Sequence, residues 1–136
     1  NAGFDSWWAR EGIYYKDISI TEQEFQSYPF RNGFSKGDIM ILVGKDPDEI
    51  RLGDVIVFQS GKPYPIIHRV IAVHEDHFET KGDNNPAQIQ DNQLDETQVR
   101  YEALLGKAVV RIPFLGYIKI WAVSVLNLFG LGYVLG

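Results

Sequence analysis

Short runs of apolar residues, each bounded by turn-forming positions, fill the middle of the chain. IMILV (Ile39 to Val43), DVIVF (Asp54 to Phe58), IIHRVIAV (Ile66 to Val73) and HFETK (His77 to Lys81) are rich in β-branched and aromatic residues, and Gly, Pro, Asp and Asn separate them. LLGKAVVRI (Leu104 to Ile112) adds another strand. With polar loops and no long helix between them, these runs predict an antiparallel sheet system over residues 35–118, folded on itself as a barrel or sandwich. Gly37-Asp38 and Gly53-Asp54 open two of the strands in the same way. A Gly-Asp pair is a turn signal that releases the chain into a strand, so these aspartates read as scaffold.

The flanks differ from this core. Residues 1–34 are irregular and aromatic, with FDSWW, IYY and FQSYPF separated by charges. Thr21 followed by Glu24 is a capping-box pattern, and EQEFQSY behind it supplies one or two helical turns. Trp7, Trp8, Tyr14 and Tyr15 are expected to fill the gap between this insertion and the core; a belt at a membrane surface is the other use of such rings. At the far end, Ile120 to Gly136 carries no charge and follows Lys119 directly. A run of that length lies near the lower limit of the roughly 17–25 residues of a membrane helix, and glycine is at home in such helices. The expected architecture is therefore mainly β, with a short helical N-terminal insertion (1–34), a β core (35–118) and an apolar C-terminal segment read as a membrane helix (119–136).

Composition narrows the function classes. A chain of 136 residues with 45% apolar content supports one folded domain. The net charge of −5, with Lys and Arg dispersed, argues against nucleic acid as a partner. The absence of cysteine excludes disulfides and thiolate metal sites. The chain starts at Asn1, without a basic flank leading into an apolar stretch, and is expected to be part of a longer protein.

GDIMIL, RLGDVIVF, PIIHRVIAV, TKGDNNP and LLGKAVVRIPFLGYI, in that order over about Ser35 to Ile118, resemble the successive boxes of type I signal peptidases of the archaeal and endoplasmic-reticulum branch. The resemblance implies a membrane-bound serine endopeptidase that removes signal peptides from secreted preproteins. It implies a catalytic domain on the extracytoplasmic face of the cell membrane, the lipid bilayer and the translocon as candidate partners, and no cofactor. An extended signal sequence would add to a strand edge, with the IMIL and VIVF strands walling shallow pockets.

A lone histidine in an apolar strand reads by itself as a structural residue. The resemblance assigns His68, in the HRV box, as the general base, where the common bacterial branch has lysine. Such a base needs a carboxylate on its other ring nitrogen. Asp83 in TKGDNNP and Asp91 in QIQDNQ are the candidates, and the choice between them stays open, because Ile89 stands where a strict offset would place the second acid. Their other reading is as turn formers. His74 and His77 lie in a turn where the two rings are expected to diverge, and no metal is assigned to them. The family's Ser-x-Ser-Met motif is absent, the sole methionine being Met40. Ser27 stands at nearly the expected distance but is followed by tyrosine, so the nucleophile is expected upstream of Asn1. A non-catalytic, membrane-tethered peptide-binding relative is the alternative.

Overall fold

The computed structural model describes residues 2–34, 38–112 and 132–135. Two helices come first: α1 (Ala2–Asp17) and α2 (Glu22–Gln26). The aromatic zone is thus more helical than its sequence suggested. Phe4, Trp8, Gly12 and Tyr15 fall on one buried stripe at helical spacing, and a Cβ on Gly12 would lie 2.6 Å from the Trp8 ring. The pairs Trp7-Trp8 and Tyr14-Tyr15 hid this period, because in each pair one ring faces in and its neighbour lies at the margin. α2 begins as the capping pattern requires, with the Thr21 hydroxyl accepting from the Glu24 amide at 3.1 Å.

The strands are β1 (Ile39–Val43), β2 (Val55–Phe58), β3 (Ile66–Val73), β4 (His77–Lys81), β5 (Val99–Arg100), β6 (Leu104–Ile112) and β7 (Gly132–Leu135). They form one sheet in the order β5-β4-β3-β2-β6-β1-β7, with every pairing antiparallel. Mainly β architecture is as expected, and of the two forms weighed the sheet takes the open, sandwich-like one, since β5 and β7 end the order without meeting. Residues 132–135 pair as a strand along β1. The rest of the proposed membrane segment, Lys119 to Gly136, lies outside the described residues. Among the described residues no helix is long and apolar enough to cross a membrane.

Strand alternation gives the sheet two working faces. One carries Ile56, Phe58, Ile66, Val70 and Phe78, packed on Ile50, Leu94 and Val99. The other is covered by the helices, whose Phe4, Trp8, Tyr15 and Phe25 cluster with Ile20 and Ile71. Consecutive residues of β3 therefore serve different layers. His68 shares the first face with Ile66 and Val70, while Arg69 points into the second. By the same alternation Ile71, two residues beyond Arg69, also reaches the helical layer.

Arg69 is 1% exposed and uses all five of its N–H donors. Nε and Nη2 donate to the two oxygens of Asp83 at 2.9 and 2.8 Å. Nη1 donates to the carbonyls of Pro29 (2.6 Å) and Gly53 (2.8 Å), and Nη2 to that of Phe30 (2.7 Å). The guanidinium carbon also lies 4.8 Å from the centre of the Phe25 ring. Phe30 has a positive φ of 54°, a conformation that costs about 1–2 kcal/mol for an L-residue, and the bond from Arg69 offsets that strain. Arg69→Lys keeps the charge but cannot span these acceptors. Urea unfolding is expected to show a loss of about 3–5 kcal/mol, the range for breaking a buried pair; a loss below about 1 kcal/mol would show that the fork is not what holds these segments together.

Candidate active site

His68 sits at the rim of the first face, opposite Ile56 of β2. Its side chain is 19% exposed. Nδ1 is hydrogen-bonded to the Oε1 atom of Glu96, whose side chain is fully buried. The same oxygen accepts from the Thr80 hydroxyl at 2.9 Å, and Oε2 accepts from the Ile89 amide at 2.8 Å. The main chain of Glu96 is pinned on both sides: its carbonyl accepts from the Thr80 amide and its amide donates to the Ile89 carbonyl, each at 2.9 Å. The other ring nitrogen, Nε2, faces the turn that follows β4. A Cβ on Gly82 would lie 2.9 Å from Nε2 and 2.6 Å from the Asn85 amide nitrogen, so the glycine keeps the space beside Nε2 clear.

The structure does not join either sequence-chosen aspartate to His68 by a hydrogen bond. Both oxygens of Asp83 go to Arg69, on the opposite face of β3. Asp91 is exposed and closes a turn: Oδ1 accepts from the amides of Gln93 (2.8 Å) and Leu94 (2.9 Å), and Oδ2 lies 3.7 Å from Lys62 Nζ. Those amides, then Lys62, hold its carboxyl below the ordinary carboxylate range. The residue found with His68 instead is Glu96, 28 positions away in the chain. No motif marks it; it follows Asp95 in the polar turn that leads into β5.

Other candidates are placed as follows. Ser27 caps the end of α2, with its hydroxyl donating to the Glu24 carbonyl at 2.6 Å, and is exposed. His74 and His77 do not diverge, because the β3–β4 turn stacks their rings 4.4 Å apart. Each bonds a separate carboxylate, His74 to Glu79 (2.7 Å) and His77 to Asp76 (2.6 Å). Among the described residues, the cluster with metal-ligand spacing is Asp46, Asp48 and Glu49, all exposed.

Helix α1 braces the site from behind. Trp7 Nε1 donates to the Asp83 carbonyl at 2.8 Å, and the Tyr14 hydroxyl to Gln88 Oε1 at 3.2 Å. Gln88 in turn donates to the Glu96 carbonyl at 3.1 Å. Lys81, fully buried, lies over the rings of Tyr14 (5.2 Å) and Tyr15 (4.8 Å). Its ammonium donates to Tyr15 Oη (3.2 Å) and the Gly82 carbonyl (3.1 Å). Burial lowers its pKa, and Asp83 opposes that shift only in part.

Strand β3 and the turn after β4 thus present an imidazole held through Nδ1, with Nε2 lying close to Gly82. The chain matches signal peptidase complex catalytic subunit SEC11C of Homo sapiens and of Canis lupus familiaris, each 35% identical over 96 residues, covering 64% of this chain and 49% of the relative. Signal peptidase complex catalytic subunit SEC11 of Candida albicans (strain SC5314 / ATCC MYA-2876) is 34% identical over 96 residues, covering 64% of this chain and 56% of that relative. The chain therefore spans about half the length of the curated relatives it matches. No family model matches it, and no solved structure does. These relatives make the chain a homologue of the type I signal peptidases of the endoplasmic-reticulum kind, in agreement with the boxes read from its sequence.

Two outcomes test this geometry. Gly82→Ala is expected to cost about 1–3 kcal/mol through overpacking and to move the imidazole resonances of His68 while sparing His74 and His77; unchanged stability with unchanged resonances would mean the space is not tight. For Lys81, the folded pKa lies below the ordinary 10.5. Between those two values the unfolded chain holds a proton that the folded chain has shed, so this group makes stability rise with pH across that window. Tyr14 and Tyr15, whose hydroxyls burial pushes above 10.0, act in the opposite direction only at higher pH. Lys81→Met is expected to abolish the rise, read as the pH slope of unfolding free energy in the window below the ordinary lysine value of 10.5.

Proposed function

We propose that the chain is the catalytic domain of a membrane-bound serine endopeptidase that removes signal peptides from secretory preproteins, with His68 as its general base. The observation that carries this reading is the state of the His68 ring: Nδ1 is already engaged, and Nε2 faces the space kept clear by Gly82. The matching relatives, named as catalytic subunits of a signal peptidase complex, supply the reaction class.

In the first step the serine Oγ–carbon bond forms at the scissile carbonyl as Nε2 takes the hydroxyl proton. Nε2 then returns that proton to the leaving amine, and the acyl-enzyme is hydrolysed by the same route with water. Main-chain amides beside the serine hold the oxyanion. Ser27 is committed to the α2 cap, so it is not assigned as the nucleophile. The substrate lies extended along a sheet edge, adding main-chain hydrogen bonds to the sheet. Asp83 supports the site by fixing Arg69, and Asp91 shapes the turn that leads back to Glu96. The protein works at the membrane, with this domain on the extracytoplasmic face, beside the translocon and the other subunits of its complex. The non-catalytic alternative draws on one fact: among the described residues no serine is hydrogen-bonded to His68.

The discriminating experiment uses the full-length protein in detergent with a preprotein substrate. His68→Ala is expected to lower cleavage by at least about 10²-fold, the range for removing a general base, with little change in the thermal transition. Retained cleavage in that variant would overturn the assignment, and a full-length parent that binds signal peptide without cutting it would favour the non-catalytic relative.

A further inference from the structure

We infer that Glu96 is the carboxylate that positions His68, and that the acid of this site has moved away from both Asp83 and Asp91. The inference rests on the reading of His68 as the base and assigns a residue that no motif marks.

Donor counting carries the argument. An ionised carboxylate only accepts hydrogen bonds, so with Glu96 as the charged partner the ring nitrogen facing it carries the proton. Oε1 receives His68 Nδ1 and the Thr80 hydroxyl, and Oε2 receives the Ile89 amide. Three donors therefore converge on a carboxylate that is wholly shielded from water. Such a group is costly when unpartnered, and here both of its oxygens are occupied. The tautomer follows: Nδ1 is protonated and Nε2 keeps its lone pair toward Gly82, which is the form a general base requires. When Nε2 accepts the serine proton, the imidazolium charge forms against Glu96, while the Nδ1 proton stays where it is.

The competing acids cannot do this in the observed arrangement. Asp83 has given both oxygens to Arg69, on the far side of the strand. Asp91 is exposed and bound to its own turn. Glu96 also has the rigidity that orientation needs. Its main chain is hydrogen-bonded to Thr80 on one side and Ile89 on the other, the same two residues whose donors hold its carboxylate.

Three measurements on the full-length protein test the role. In the parent, 15N spectra of labelled imidazole are expected to show neutral His68 with its proton on Nδ1; a proton on Nε2 would overturn the inference whatever the variants do. Glu96→Gln is expected to lower kcat on a preprotein by at least about 10²-fold with KM changed less than about threefold, and to lose the single tautomer. Glu96→Asp, which keeps the charge on a shorter arm, is expected to retain at least about tenfold more activity than Glu96→Gln. A folded Glu96→Gln protein with parental kcat, alongside an inactive His68→Ala, would remove Glu96 from the site and leave the base reading standing. An active His68→Ala would remove both.

Discussion

The guanidinium of Arg69 is the constraint on which the other parts of this domain depend. Five N–H groups taken out of water in one place need five acceptors, and three separate pieces of chain provide them: Pro29 and Phe30 from the insertion, Gly53 from the turn before β2, and Asp83 from the turn after β4. A planar fork can satisfy acceptors in several directions without moving, so the insertion, the sheet and the site turn are fixed relative to one another by a single side chain. The like-charged Lys81 lies directly opposite Arg69 in the β3–β4 register. The two cations coexist because Asp83 neutralises one while tyrosine rings and a carbonyl solvate the other.

Pleating then turns this scaffold into a site. Because successive side chains of a strand leave on opposite faces, the residue beside Arg69 points to the other layer, and that residue is His68. The same rule divides β4: Thr80 reaches the Glu96–His68 pair while Lys81 reaches α1. Structural and chemical groups are thus interleaved along two short strands, and each is held by contacts made through its neighbour. Fixing Asp83 from one face sets the position of Gly82, whose missing Cβ leaves room beside Nε2 on the other.

Between Gly82 and Val99 the acids are separated by the partners that each one meets. Asp83 stays in the Gly-Asp-Asn-Asn-Pro turn but serves Arg69, and Asp91 becomes a turn former. Glu96, reached after the chain folds back through the Gln90–Asp95 bridge, brings a carboxylate to His68 from the turn that leads into β5. The longer glutamate arm suits an approach from that side, and the Ile89 amide, at the position where an acid was sought in the sequence, holds its second oxygen.

The sequence alone determined what depends on local pattern. The strands β1, β3, β4 and β6 begin and end where their β-branched runs do, β2 starts one residue into its run, and α2 follows its capping box, because turn chemistry and period-two alternation act over a few residues. The ordered boxes also singled out His68 and the family. Helix α1 was legible in principle at positions 4, 8, 12 and 15, but doubled aromatics blurred its period. What only the tertiary structure decided is the identity of the carboxylate beside His68, the service of Asp83 to Arg69, and the stacking of His74 on His77. Each is a meeting of side chains whose geometry is set by sheet register and by the return path of a loop. No short-range pattern encodes which of several acids within about thirty residues will arrive at a given nitrogen, because that is fixed by closure of the chain in space.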